Sequence, residues 1–172
     1  FPIFQTAGDF VADQAPGVSG LEGIVLLGAD GLQVQTFMEL PQADGMYLSG
    51  PDLRYGVNTN QSTGATAEKF LADYESNNGN APEAPFWAHS YDAATILLEA
   101  IKAASHSHDG NLEIDRAGVR EYLDNLSGYE GIIGTLSCDD FGDCGAQRIT
   151  VVQNSSADFA GSIENVVFSF AP

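Results

Sequence analysis

Cys138 and Cys144 flank the run Asp139-Asp140-Phe141-Gly142-Asp143, and two thiols placed across so tight a turn can close into a disulfide. The other chemistries open to a cysteine pair are a redox centre or half a metal site. Both are disfavoured, because the spacing is not that of a CxxC pair and the chain has only 2 cysteines. Closing so short a loop contributes about 2–3 kcal/mol, enough to secure a hairpin but not a whole fold. Asp30 is the next candidate. It stands just after an apolar run, where open α/β sheets place their ligand crevices, and a carboxylate there can pair with an ammonium group. The plainer reading of Asp30-Gly31 is a turn.

His106, His108 and Asp109 carry metal-ligating groups, but their spacing matches no established zinc pattern, and a solvated loop is expected instead. His89 is expected to be a packed or surface histidine. Asp139, Asp140 and Asp143 lack the glycine-centred spacing and distal glutamate of a calcium loop, so they read as a charged turn. No GxSxG, phosphate-cradling glycine loop or catalytic carboxylate pair is present, and Gly28-Ala29-Asp30-Gly31 lacks the third glycine of a dinucleotide site. These residues predict no catalytic group, no metal and no cofactor.

The elements that position these residues follow from periodicity. Phe1–Phe4 reads as a short strand remnant and Gln5–Ala15 as a helix ended by Pro16-Gly17. Leu21–Leu27 reads as a strand buried on both faces, Leu32–Leu40 as a short helix and Gly45–Ser49 as another strand. Alternation at this pace predicts an α/β protein with a parallel sheet. Beyond Gly50-Pro51-Asp52, Asn58–Thr63 is a polar loop leading into a helix with Ala67, Phe70, Leu71 and Tyr74 on one face, ended by Asn77-Asn78-Gly79-Asn80. A longer helix opens at Pro85, with Trp87, Tyr91, Ala94, Leu98 and Ile101 on one stripe and Ile96 and Leu97 beside it, and a helix so apolar is expected to be mostly buried. His106–Asn111 is a polar loop, and Asp115 caps a third helix bearing Val119, Tyr122, Leu123 and Leu126. Tyr129–Gln153 reads as a hairpin whose return strand is Ile149–Val152, and Phe159–Phe170 as one or two further strands.

At 172 residues the chain can form one domain or parts of two. Its formal net charge of -18, from 6 cations against 24 acids, repels phosphate backbones and anionic headgroups, so nucleic-acid and membrane-surface partners are disfavoured. No apolar run reaches the ~20 residues of a membrane span, so no membrane insertion is expected. The start at Phe1-Pro2-Ile3-Phe4, without a methionine, reads as the middle of a longer polypeptide.

Three blocks together resemble a known family. They are Pro85-Phe86-Trp87-Ala88 running into Tyr91-Asp92-Ala93, then Tyr129-Glu130-Gly131 through Gly134-Thr135-Leu136 to Gly142-Asp143, and Gly28-Ala29-Asp30-Gly31 followed by Gly45-Met46-Tyr47. Their order and spacing, up to about Gln153, resemble the C-terminal half of a type I periplasmic binding protein. The nearest group is the branched-chain amino-acid and aliphatic-amide receptors of ABC transporters.

The resemblance implies an incomplete fold of that type, holding elements of two lobes. Residues 1–50 would be the latter part of the second lobe, 51–148 the returning part of the first, and 149–172 a hinge crossing with terminal strands. It implies an extracytoplasmic solute receptor, periplasmic or a cell-surface lipoprotein. Its partners would be a small amino acid or amide and an ABC permease, and no catalysis is implied. Asp30 would hold the ligand's ammonium, and Phe4, where the family often has a cleft aromatic, would pack its apolar part. An α/β enzyme such as an amidase and a ligand-sensing domain of the same fold are the alternatives. Assembly of this chain as a homodimer, by exchange of segments across open sheet edges, is a further expectation.

Overall fold

The computed structural model describes residues 4–171, and the chain divides into two compact units. One comprises the chain up to Arg54, Glu83–Pro85 and everything from Gln147 on; the other comprises Tyr55–Pro82 and Phe86–Ala146. The structure is α/β, as expected. No helix among the described residues is long and apolar enough to cross a membrane.

The first unit is built on a four-stranded sheet of order β1-β2-β8-β9, from β1 (Leu27–Gly28), β2 (Tyr47–Pro51), β8 (Ile149–Gln153) and β9 (Val166–Phe170). It is mixed: β1 runs parallel to β2, whereas β8 is antiparallel to both β2 and β9. Helices α1 (Gln5–Gln14), α2 (Gln35–Met38) and α6 (Phe159–Glu164) supply the apolar face of the core. Ala12, Leu32, Phe37, Met38, Leu48 and Val152 are buried there, and Phe159 and Ile163 pack against them.

Several expectations change in this unit. Positions 1–3 of the Phe1–Phe4 strand lie outside the described residues, and Phe4 itself is the extended residue preceding α1. The Leu21–Leu27 strand shrinks to Leu27–Gly28, and Ile24 and Val25 are exposed. Two glycines at positive φ, Gly20 and Gly23, turn the chain there, and among the described residues β1 pairs with β2 alone. The Leu32–Leu40 helix survives only as the single turn of α2, because Val34 is extended. Buried Gln33 donates from Nε2 to the Leu48 carbonyl at 3.4 Å, tying this segment to β2 instead. Phe159–Phe170 forms a helix and a strand. Asp158 caps that helix, its Oδ1 accepting from the Gly161 N–H at 2.8 Å.

The second unit holds α3 (Ala67–Asn78), α4 (Trp87–Ala103) and α5 (Arg116–Asp124), all at expected positions. Thr66 caps α3 and Gly79 ends it in the left-handed conformation; Asp115 caps α5. Phe70 stacks on Trp87, and Tyr55 meets the same indole edge-on. The buried face of α4 is not the expected apolar stripe. Ala88, Asp92, Thr95, Ile96 and Ala100 point inward, while Leu97 and Leu98 are exposed. His106–Asn111 is no loop but the turn region of a hairpin, β3 (Ser105–His108) against β4 (Asn111–Ile114). Asp109 and Gly110 both take positive φ, as a two-residue turn of this kind demands. His106 and His108 face Glu113 at 3.1 and 3.5 Å.

The cysteine segment is a three-stranded meander of β5 (Tyr129–Gly131), β6 (Gly134–Cys138) and β7 (Cys144–Gly145). Cys138 and Cys144 are disulfide-bonded, and no described cysteine is free. Ile149–Gln153 is not its return strand. Those residues pair with β2 in the first unit, Leu48 opposite Val152 and Pro51 opposite Ile149, so the stapled meander ends at Gly145. Reduction is expected to raise the intact mass by two hydrogen atoms, and two alkylatable thiols in unreduced native protein would contradict the bond.

Candidate ligand-binding site

Because β1 and β2 run parallel, their carboxyl ends lie at the same edge of the first unit's sheet, the edge at which open α/β sheets bind ligands. Asp30 follows β1 after the extended Ala29 and opens a 3₁₀ turn, Asp30–Leu32. Its Oδ1 accepts from the Gly31 N–H at 2.8 Å, so the turn geometry expected of Asp-Gly is present. The residue is half-buried, and Oδ2 has no hydrogen-bond partner among the described residues. Ser49 of β2 donates its hydroxyl to the Gly28 carbonyl at 3.3 Å, cross-linking the two strands just before the edge.

Phe4 stands at the mouth of α1 with its ring in solvent, 73% exposed. One turn on, Gly8 lies against Leu32: a Cβ at Gly8 would come within 2.6 Å of Leu32 Cδ2. Thr36 donates to Gln5 Oε1 at 3.1 Å. The start of α1 and the Asp30–Leu32 turn are therefore neighbours, although the Phe4 side chain makes no ring contact with another aromatic among the described residues.

Beyond β2 the same edge carries Asp52, which the sequence marked only as part of the Gly50-Pro51-Asp52 boundary. Its side chain is only 5% exposed. Oδ1 accepts from Arg54 N at 3.1 Å and Arg54 Nε at 2.8 Å, and Oδ2 from Arg54 Nη2 at 3.1 Å and Arg148 Nη2 at 2.9 Å. Burial by itself would raise the carboxyl pKa. The hydrogen bonds from the Arg54 side chain and backbone, with the charges of Arg54 and Arg148, outweigh it and hold the pKa below the ordinary 3.8. Asp52 thereby binds the end of β2 to Arg148 at the start of β8, the two places beside which the chain passes between its units.

In the second unit the Tyr91-Asp92-Ala93 block has a structural task. Asp92 is fully buried, and its carboxylate accepts from Asn60 Nδ2 at 2.8 Å and from the backbone N–H groups of Ile132 and Ile133 at 3.0 and 2.9 Å. Ile132-Ile133 is the turn between β5 and β6, so an acid of α4 holds that turn in place. Gly131 permits the approach, since a Cβ there would meet Asp92 Oδ2 at 2.5 Å. Thr95 Oγ1 accepts from Asn60 Nδ2 at 2.8 Å, and the Tyr129 hydroxyl reaches Thr95 at 3.0 Å and Asn60 Oδ1 at 3.2 Å. The available sequence signal was an acid and a threonine one turn apart on a helix rich in apolar residues.

His89, nearby on α4, is half-buried, and its buried Nδ1 has no partner among the described residues. Burial, only partly opposed by the charge of Asp92, lowers its pKa below the ordinary 6.5. The folded state therefore disfavours the charged ring. That contribution to stability is complete above about pH 6.5 and declines as pH falls through the lower folded value. His89→Phe is expected to flatten this part of the stability profile, measured by denaturant unfolding at pH 7 and 5.5.

No protein-family model matches the chain, and no curated protein matches its sequence. Solved structures do match. A leucine binding protein from Thermotoga maritima superposes with a TM-score of 0.66 at 22% identity, over 99% of this chain and 43% of that one. A leucine-, isoleucine-, valine-, threonine- and alanine-binding protein from Brucella ovis gives 0.60 at 16% identity, over 95% and 41%. A solute binding protein of an ABC transporter from Rhodopseudomonas palustris BisB5, in complex with 3,4-dihydroxybenzoic acid, gives 0.60 at 17% identity, over 99% and 44%. The chain thus has the type I periplasmic binding-protein fold and spans less than half the length of these proteins.

Proposed function

We propose that this chain is part of an extracytoplasmic, non-catalytic solute-binding protein that captures a small aliphatic amino acid or amide for an ABC importer. The observation that carries the reading is Asp30. It is a half-buried carboxylate at the carboxyl end of a parallel strand, with one oxygen held by its own turn and the other without a partner among the described residues, in a fold shared with amino-acid-binding proteins. Asp30 takes the ligand's ammonium in a charge-assisted hydrogen bond, and Phe4, at the start of α1, shields its apolar part. Residues 1–50 form the latter part of one lobe, 51–148 the returning part of the other, and 149–172 a crossing with terminal strands. Lobe closure presents the occupied receptor to the permease. The disulfide fits an oxidising compartment.

Calorimetric titration of the whole protein with leucine tests the reading. Asp30→Ala is expected to weaken binding by at least about 30-fold, the ~2 kcal/mol lower bound for breaking a desolvated charge pair. Unchanged affinity would remove Asp30 from the site. Release of ammonia from an aliphatic amide would favour an amidase instead.

A further inference from the structure

Arg116 and Arg120 stand one turn apart on the exposed side of α5, and neither makes an ion pair or hydrogen bond among the described residues. Arg54 and Arg148 are bound to Asp52 and Lys69 to Asp73, so this is where the chain concentrates uncommitted positive charge. The two guanidiniums border a cavity of about 290 Å³ with Val119 and Leu123 on the helix side and Gly142 and Cys144 on the disulfide loop. Asp124 also lines it, leaving the groove with one net positive charge.

The loop beside this groove has the complementary character. Phe141, at the tip, is 95% exposed. Asp140 and Asp143 flank it, and neither carboxylate has a hydrogen bond or ion pair among the described residues. The tip is also held in shape. Asp139 Oδ1 accepts from the N–H groups of Phe141 and Asp143, each at 2.9 Å, and the disulfide closes the base. A preordered tip loses little freedom on docking.

We infer that the occupant of this groove is the loop tip of a second copy of the chain. Phe141 of one protomer enters the apolar cavity of its partner, and Asp140 and Asp143 meet the partner's Arg116 and Arg120. Charge complementarity selects this occupant: an aromatic flanked by two free carboxylates faces an apolar cavity rimmed by two free guanidiniums. Gly142 and Cys144 belong both to the tip and to the groove's wall, so the two features are adjacent on one surface. A twofold axis then lets each protomer serve the other in the same way, the self-complementary arrangement of an isologous dimer. The contact is small, so the dimer is a weak one.

Sedimentation equilibrium of the whole protein, at about 0.15 M salt where charges are screened beyond ~8 Å, tests this up to about 0.5 mM protein. The wild type is expected to dimerise with rising concentration, and Phe141→Ala to weaken that at least tenfold. The paired charge reversals Arg116→Glu/Arg120→Glu and Asp140→Arg/Asp143→Arg should each leave a monomer, since tip and groove then carry like charge. Mixed in equal amounts, these two variants should form a heterodimer, because both tip–groove contacts become complementary again. All these positions are exposed, and Trp87 fluorescence reports whether each variant is folded. A wild type monomeric throughout, reversed variants that self-associate like the wild type, or a mixture that stays monomeric would each overturn the inference.

Discussion

Asp92→Ala is expected to destabilise the second unit by about 3–5 kcal/mol, the range for stripping the acceptor from buried, charge-assisted hydrogen bonds. The variant leaves the N–H groups of Ile132 and Ile133 and one Asn60 donor bond unsatisfied, in a place with no measurable exposure. The loss also frees the β5–β6 turn from α4, so more than one contact is affected. Urea unfolding followed by Trp87, which lies in the same unit, is the measurement. Asp92→Asn distinguishes charge from shape: it keeps the volume but must turn an amide N–H₂ toward donors, so it should recover little. A loss below about 1 kcal/mol for Asp92→Ala would mean that the turn is held by its own hairpin pairing.

Asp52→Ala is the second large effect, expected to cost the first unit about 2–4 kcal/mol. The upper part of that range belongs to a buried acid, and the lower reflects guanidiniums that remain partly in water. The same carboxylate gives a signature in pH. Its pKa is below the ordinary 3.8 when folded, so its contribution is complete above about pH 3.8 and is lost as pH falls through the folded value. The wild type should therefore lose stability steeply below about pH 4, and Asp52→Asn less steeply over that interval. Parallel acid titrations of the two proteins, followed by far-ultraviolet circular dichroism, would show it; identical midpoints and slopes would exclude the Asp52 clamp as an acid-sensitive element.

What was legible in the sequence is what short-range physics specifies. Helices α3, α4 and α5 were placed by apolar spacing, with Gly79 and Asp115 marking ends whose capping chemistry lies within a few residues. The disulfide was legible because a tight turn brings its cysteines together. Asp109-Gly110 was an equally local hairpin signal, hidden by the polar histidines beside it and by exposed strands without the usual alternation.

The position of Asp30 after β1 was likewise legible from the apolar run before it, but its surroundings were not. Ser49 and Asp52 reach the same edge only because β1 lies parallel to β2, and Arg148 only because β8 pairs with β2 from nearly a hundred residues away. Register of that kind depends on which strands find each other, and no local pattern encodes it.

The sequence by itself determined an acidic α/β chain, most of its helices and one covalent staple, because propensity, capping and turn closure act between near neighbours. Tertiary structure alone decided that the run before Leu27 would be mostly exposed, that Ile149–Gln153 would pair antiparallel with Tyr47–Pro51, and that Asp92 would be buried. Each of those outcomes depends on the rest of the fold: a place at the end of the sheet's strand order among the described residues, a strand to pair with, and two backbone N–H groups to compensate a buried charge.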